Sequence, residues 1–269
     1  MEPPEKSKKK PDAKLIPYKD PVNHKWEIGI DEAGRGPLFG RLYVAGAVVP
    51  KEGPSNASSI PIQATSTYAS EPFRYDWMKD SKRFTSEKKI TEVADHIKNN
   101  APFWTVKWAE PQLIDEINIR QAVLRLMREC CVDIIGQIKA VDPECDVAKD
   151  IYLLIDGNDF PIFTVFDDIS ASLVPIQHET VEQGDNKYCS IAAASILAKT
   201  ARDKYIYSVC DDNAELDERY GLRKNKGYGT KIHLEGLRSY GPTDQHRKSF
   251  RIDKDKTKDK DKKNREDNI

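Results

Sequence analysis

Between Ile28 and Gly40 the chain reads I-G-I-D-E-A-G-R-G-P-L-F-G, and no other stretch restricts the fold as much. The apolar run Trp26 to Ile30 has the pattern of a buried strand. It delivers two adjacent carboxylates, Asp31 and Glu32, into a turn made by Gly34, Arg35 and Gly36. A second strand-like run, Leu42 to Val49, follows. Carboxylates at the end of a buried strand are costly unless something cationic pairs with them. A glycine turn beside them lets a ligand approach the backbone. The pattern points to an oxygen-rich metal site with a substrate-reading loop next to it. Taken alone, an Asp-Glu pair after a strand also describes a solvated turn. Phosphate-binding loops fail on context: the dinucleotide fingerprint is G-x-G-x-x-G opening a helix, and the P-loop ends in G-K-S or G-K-T. Here Pro37 follows the second glycine of the turn and a strand comes next.

Two further acids repeat the logic. Asp156 ends the apolar run of I-Y-L-L-I-D-G-N, and Gly157 then turns the chain. Open α/β sheets place their sites at such strand ends. Asp185 stands in V-E-Q-G-D, just before S-I-A-A-A-S-I-L-A (190–198), a helix of small side chains able to lie close against a sheet. By itself Asp185 also reads as an acid favoured by a helix N-terminus. Neighbouring strand residues point to opposite faces, so Asp31 and Glu32 share a site only if the strand breaks at Glu32. Four clustered carboxylates would repel and take up protons. Two divalent ions, Mg²⁺ or Mn²⁺, would balance them and suit an all-oxygen shell. Such ions roughly 4 Å apart serve in-line phosphodiester displacement, one activating water and the other stabilising the leaving oxygen.

The 269 residues suffice for one substantial core and a small second lobe. No apolar run approaches the roughly 20 residues that span a bilayer. The start, M-E-P-P-E-K-S-K-K-K-P, has no apolar segment of the secretory kind. Five cysteines without C-x-x-C spacing read as reduced thiols of a cytoplasmic protein, and the basic run Lys6 to Pro11 also fits a nuclear-import signal. The net charge of -1 hides a polarised distribution, because Arg219 to Arg251 holds nine Lys/Arg against two acids. A basic face of this kind attracts phosphate backbones, although a solvated face carries the same charges.

Strand-like runs occur at 26–31, 42–49, 103–108 and 151–156, and helix-like runs near 86–99, 118–139, 188–210 and 230–239. Segments 51–75 and 159–171 read as long surface loops. The alternation predicts an α/β protein, a mixed sheet flanked by helices. Residues 1–20 form a disordered basic tail in this reading, 21–215 the catalytic domain, and 216–252 a small basic helical lobe that binds substrate. The Lys/Asp run 253–269 is a second tail, too polar to offset its ordering entropy by burial. It shows no clamp-binding motif.

With these acids in place, the chain resembles the ribonuclease HII (type 2 ribonuclease H) family from about Trp26 to Phe250. Besides the first stretch, four blocks carry the likeness in the family's order. They are D-S-K-R-F-T-S-E-K-K (80–89), N-I-R-Q-A (118–122), G-D-N-K-Y-C-S-I-A-A-A-S-I-L-A-K-T-A-R-D (184–203) and K-G-Y-G-T-K-I-H-L-E-G-L-R-S-Y-G-P-T-D-Q-H-R-K-S-F (226–250). The related HIII type carries Lys in the middle of the glycine turn, so Arg35 favours HII. The resemblance implies an RNase H-like fold and metal-dependent cleavage of RNA within RNA–DNA hybrids. It also implies cleavage 5′ to a single ribonucleotide in duplex DNA, leaving 3′-hydroxyl and 5′-phosphate ends, by a monomer acting in ribonucleotide removal.

Carried over position by position, Asp31, Glu32, Asp156 and Asp185 match the family's catalytic, metal-holding acids. Gly34, Arg35 and Gly36 match the turn that reads the 2′-hydroxyl, the group that distinguishes RNA from DNA. Tyr228 matches the tyrosine that packs on the sugar of the following deoxynucleotide, and Ser81 and Lys82 match a block near the substrate phosphates. Without its block, Tyr228 reads as an exposed turn aromatic. His233 and His246 read as helix packing or surface residues, and Asp203 as a solvated or salt-bridged acid. Arg41 stands where proline is common and Gln183 where lysine is common, the second change removing a positive charge beside Asp185. Two other readings compete: a nuclease or transposase of the same fold, which gives no role to Gly34-Arg35-Gly36 or Tyr228, and a non-catalytic hybrid-binding module, which gives none to the acids.

Overall fold

A computed structural model of the chain describes residues 14–20, 22–51, 72–168 and 170–250. The basic run Lys6 to Pro11, most of the expected loop at 51–75 and the tail 253–269 lie outside them. The elements run β1 (Trp26–Ala33), β2 (Leu42–Val48), α1 (Glu87–Asn100), β3 (Phe103–Ala109), α2 (Pro111–Ile117), α3 (Ile119–Val141) and α4 (Val147–Asp150). There follow β4 (Ile151–Asp156), β5 (Thr164–Asp167), β6 (Ser172–Pro175), β7 (Gln177–Val181), α5 (Cys189–Asp212), α6 (Ala214–Tyr220), α7 (Leu222–Asn225) and α8 (Lys231–Tyr240). Five strands form a mixed sheet in the order β3-β2-β1-β4-β7, with β1 antiparallel to β2 and parallel to β4, and β4 parallel to β7. The α/β architecture is therefore the expected one.

One expectation is corrected. Segment 159–171 is not a loop throughout, because β5 lies in it and pairs with β6 as an antiparallel ribbon. Its period-2 signal is masked because the ribbon's cross-strand partners Phe166 and Leu173 are both apolar and both exposed.

The described residues belong to two compact units. Of these residues, the first holds those up to Arg35, from Leu42 to Trp108 and from Val123 to Tyr205; the second holds those from Gly36 to Arg41, from Ala109 to Ala122 and from Ile206 to Phe250.

In the first unit β2 shows how the sheet is covered on both faces. Ala45 and Ala47 are buried in a core with Val93, Ala94 and Ile97 of α1 and Ala192, Ala193 and Ile196 of α5. Gly46, pointing the other way, faces Ile134 and Cys130 of α3. The alanine-rich stretch of α5 matters at Gly29 in β1, where a Cβ would lie 2.2 Å from the Ser190 carbonyl carbon. Only glycine allows the helix so near the strand. The buried Glu27 carboxylate pins the same contact, accepting from Ser190 Oγ at 3.1 Å and from the Lys19 amide at 2.8 Å.

In the second unit the segment following the glycine turn is held by its backbone. The Leu38 amide donates to the Gly227 carbonyl at 2.9 Å, the Arg247 amide to the Leu38 carbonyl at 2.8 Å, and the Gly40 amide to the Gln245 carbonyl at 2.8 Å. Asp115 of α2 accepts from the amides of Lys248 and Ser249, each at 2.9 Å. Glycine again sets a helix contact, since a Cβ at Gly236 of α8 would lie 2.0 Å from the Arg219 carbonyl oxygen of α6. All five cysteines are buried and none forms a disulfide. No helix among the described residues is long and apolar enough to cross a membrane.

Candidate active site

Strands β1 and β4 run parallel in the register Ile30↔Ile155, so the next residue of each, Asp31 and Asp156, emerges at the same edge. Asp31, Glu32 and Asp156 each offer a carboxylate oxygen, and the three lie within 4.8 Å of one another. The expected strand break at Glu32 does not occur, because β1 continues through Glu32↔Val44 and Ala33↔Tyr43 beside β2. Instead, Asp31 Oδ1 turns back to accept from the Glu32 amide at 2.6 Å, which draws its carboxylate toward the next residue.

Electrostatics there favours a cation. Burial pushes the Asp31 carboxyl well above the usual range, repulsion from Asp156 and Glu32 adds to it, and a hydrogen bond from Ser195 opposes. Glu32 is raised by burial and partly relieved by Arg35, whose guanidinium lies 3.6 Å away. Burial and like-charge repulsion raise Asp31 and Glu32 because both disfavour the charged form, and a cation beside them relieves both. An all-oxygen donor set of this kind fits a hard divalent ion.

Asp185 is not one of the three clustered oxygens. It lies buried in a 3₁₀ turn, Gly184–Asn186, and joins the cluster indirectly, because the Gly184 amide donates to Asp156 Oδ1 at 2.7 Å. Burial, then repulsion from Asp80 and Asp156, raises Asp185 to about 6, while Lys82 opposes. Asp80 was missed in the sequence. Its signal was a turn-capping acid in D-S-K-R, where its carboxylate accepts from the Lys82 amide at 2.8 Å.

Ser81 is buried with its hydroxyl 3.0 Å from Ser195 Oγ, which links it to Asp31 through Ser195. Burial alone would lower the Lys82 ammonium, yet Asp185, Asp80, Asp31 and Asp156 raise it overall. Lys82 therefore supplies positive charge on the side where Gln183 lacks it. Gln183 itself has a left-handed backbone, φ 54°, opening the turn that carries Asp185.

Gly34 has φ 91°, a value that favours glycine in the turn after Glu32. Gly36 and Tyr228 meet within the second unit: a Cβ on Gly36 would lie 3.6 Å from Tyr228 Cε1. Tyr228 is 47% exposed. Its neighbour Gly227 has φ 80°, and a Cβ there would lie 2.8 Å from the Phe39 carbonyl oxygen. Asp203 is salt-bridged to Lys199 at 2.6 Å, and Arg41 to Glu110 at 2.7 Å. His233 and His246 are both buried, which excludes the surface reading of them.

The family model described as Ribonuclease HII matches residues 28–60 and 65–253. The chain belongs to the ribonuclease HII family. The ribonuclease HII of Neisseria meningitidis serogroup B is 37% identical to it over 227 residues, 84% of this chain and 93% of the relative. Two solved structures share its RNase H-like fold. One is the PCNA:RNase HII complex from Archaeoglobus fulgidus (TM-score 0.54, 21% identity, 87% of this chain and 99% of that one). The other is ribonuclease H2 from Pyrococcus horikoshii OT3 (TM-score 0.53, 20% identity, 84% and 93%). As a ribonuclease HII family member the chain is a hydrolytic endonuclease, a ribonuclease H.

Proposed function

We propose that this ribonuclease HII family member cleaves the RNA strand of RNA–DNA hybrids and cuts 5′ to single ribonucleotides in duplex DNA, leaving 3′-hydroxyl and 5′-phosphate ends. The observation that carries the reading is the convergence of Asp31, Glu32 and Asp156 oxygens within 4.8 Å at the ends of adjacent strands. In this reading Asp31, Glu32, Asp156 and Asp185 are the catalytic acids and hold two Mg²⁺ or Mn²⁺ ions. Bound there, the ions supply an activated water and a charge sink for the leaving oxygen. Asp156 also accepts the Gly184 amide and so keeps the Asp185 turn in register with β4. Ser195 orients Asp31, with Ser81 behind it, and Lys82 offsets negative charge where a scissile phosphate adds more.

Gly34, Arg35 and Gly36 present backbone to the ribose 2′-hydroxyl, the atom absent from DNA. Tyr228, packed beside Gly36, stacks on the sugar of the next deoxynucleotide. The basic lobe 216–252 engages the phosphate backbone, where each neutralised phosphate makes binding more salt-dependent. The enzyme works as a monomer in the cytoplasm, a setting with which five buried cysteines outside any disulfide agree.

The test is cleavage of a labelled DNA duplex carrying one ribonucleotide, with Mg²⁺, Mn²⁺ or EDTA, beside an all-DNA duplex. Metal-dependent cutting only at the 5′ side of the ribonucleotide is expected. Cutting of the all-DNA duplex would favour a broader nuclease, and tight hybrid binding without cutting would favour a binding module.

A further inference from the structure

Within the second unit a line of hydrogen bonds runs from Thr243, whose amide and hydroxyl both meet His246, to Tyr228. The Thr243 amide donates to His246 Nδ1 at 2.9 Å, the two imidazole Nε2 atoms lie 3.1 Å apart, and His233 Nδ1 lies 3.0 Å from the Tyr228 carbonyl oxygen. Both ends are backbone groups of fixed polarity, an N–H that only donates and a carbonyl that only accepts. His246 Nδ1 accepts from that amide, and the Thr243 hydroxyl 2.9 Å away can donate to it as well, which puts the ring proton on Nε2. His233 Nδ1 must donate, which leaves its Nε2 to accept. The central bond runs from His246 Nε2–H to His233 Nε2, and one tautomer of each ring satisfies every group. A proton added to either ring would set two N–H groups face to face.

Both rings are buried, His233 at 0% and His246 at 3% exposure. The Tyr220 ring packs against both, at centroid distances of 5.8 and 4.8 Å, and Phe39 meets His246 edge-on at 4.9 Å. A buried polar pair is costly where apolar side chains would pack, unless every partner is satisfied. What this pair adds over an apolar one is direction. The Tyr228 carbonyl accepts from the Thr230 amide at 2.7 Å as well as from His233, and the Tyr228 amide donates to the Asn225 carbonyl at 3.0 Å. The tyrosine peptide lies between Gly227 and Gly229, the residues least able to restrict it themselves.

We propose that His246 and His233 are positioning residues that fix the Tyr228 peptide, and through it the ring, for the sugar next to a ribonucleotide. The inference rests on the reading of Tyr228 given above. Gly36 marks one side of the ring's place, since a Cβ there would meet Tyr228 Cε1 at 3.6 Å, in ordinary contact.

The experiment has two parts. In the wild-type protein labelled with ¹⁵N at its five histidines, long-range ¹H–¹⁵N spectra at neutral pH should show His233 with its proton on Nδ1 and His246 with its proton on Nε2. The opposite tautomer or a charged ring at either position overturns the proposal, and this readout needs no variant to fold. In the second part, His233→Leu should lower the ratio of kcat/KM on a single-ribonucleotide duplex to that on an all-RNA hybrid by roughly tenfold, the scale of one lost hydrogen bond. His233→Asn, whose amide can reach the same carbonyl, should restore most of the ratio. Equal losses on both substrates would reduce the pair to packing and overturn the proposal. Tyr228→Ala separates the two readings. If it lowers the ratio and His233→Leu does not, the tyrosine reading stands and the relay falls. If Tyr228→Ala leaves the ratio unchanged, the tyrosine reading falls and the relay with it.

Discussion

The amide of Gly184 donates to Asp156 Oδ1 at 2.7 Å, so one carboxylate both belongs to the acid cluster and fastens the turn that carries Asp185. The two duties separate by substitution. Asp156→Asn keeps an oxygen acceptor and should fold like the wild type while losing cleavage. Asp156→Ala leaves a buried N–H without its partner and should cost about 1–3 kcal/mol in addition. Urea unfolding of both variants checks this, and equal stability would mean that the hydrogen bond holds nothing in place.

Asp31→Asn should abolish cleavage and largely keep hybrid binding. Without metal the variant should also be the more stable protein, because it relieves the repulsion and desolvation that raise Asp31. A gain of about 1 kcal/mol would lift the melting temperature by roughly 2–4 °C for a chain of this size. Thermal melts with EDTA and with Mn²⁺ provide the measurement, and wild-type cutting by the variant would disprove the metal-site assignment.

Gly36→Ala should fold, since its Cβ would meet Tyr228 Cε1 at 3.6 Å, an ordinary contact. It should nevertheless crowd the backbone that reads the 2′-hydroxyl and lower kcat/KM on the single-ribonucleotide duplex by about tenfold or more. Unchanged cleavage alongside an unchanged melting temperature would remove Gly36 from the reading turn.

Gly29→Ala should be severely destabilising, by about 3 kcal/mol or more, because its Cβ would drive into the Ser190 backbone and force α5 away from β1. A melting temperature within a degree of the wild type would show that the helix yields freely.

Acid should weaken the second unit through its histidine pair. Burial lowers His233 below the ordinary histidine value, and burial with repulsion from His233 lowers His246 to about 4. Histidines of the unfolded chain take up protons near pH 6.5 while the native pair stays neutral, so the unfolded state binds more protons. This contribution is complete above about pH 6.5 and is lost as pH falls toward 4. Tyr220, the ionisable ring packed on both, is raised by burial and stays neutral across that window. Denaturant midpoints at pH 7 and pH 5 should fall less for His246→Gln than for the wild type, and equal falls would locate the acid sensitivity elsewhere.

The strands and helices with strong periodicity were legible in the sequence, and each of the eight forms within two residues of its expected bounds. The placement of Asp31 and Asp156 at the ends of neighbouring strands was legible because each ends an apolar run shortly before a glycine. Three features were not. Asp31 and Glu32 meet where the Asp31 side chain accepts from the Glu32 amide, which alternation along a strand does not encode. The β5–β6 ribbon has apolar residues on its exposed face, so the usual inside-outside contrast is missing there. The burial of His233 and His246 arises from residues 13 positions apart in the chain, and nothing local to either announces the pairing.

The parallel register of β1 and β4 sets the spacing of the site with a ruler made of backbone. Neighbouring strands lie about 4.8 Å apart wherever they are hydrogen-bonded, and Asp31 and Asp156 stand one step beyond the paired Ile30 and Ile155. That interval lets the two carboxylates meet, with Glu32, so that one oxygen of each lies within 4.8 Å of the others. The gauge is insensitive to substitutions in the surrounding core but intolerant of a slip. One residue inserted in β4 would turn Asp156 to the opposite face, leaving an intact sheet that had lost its chemistry.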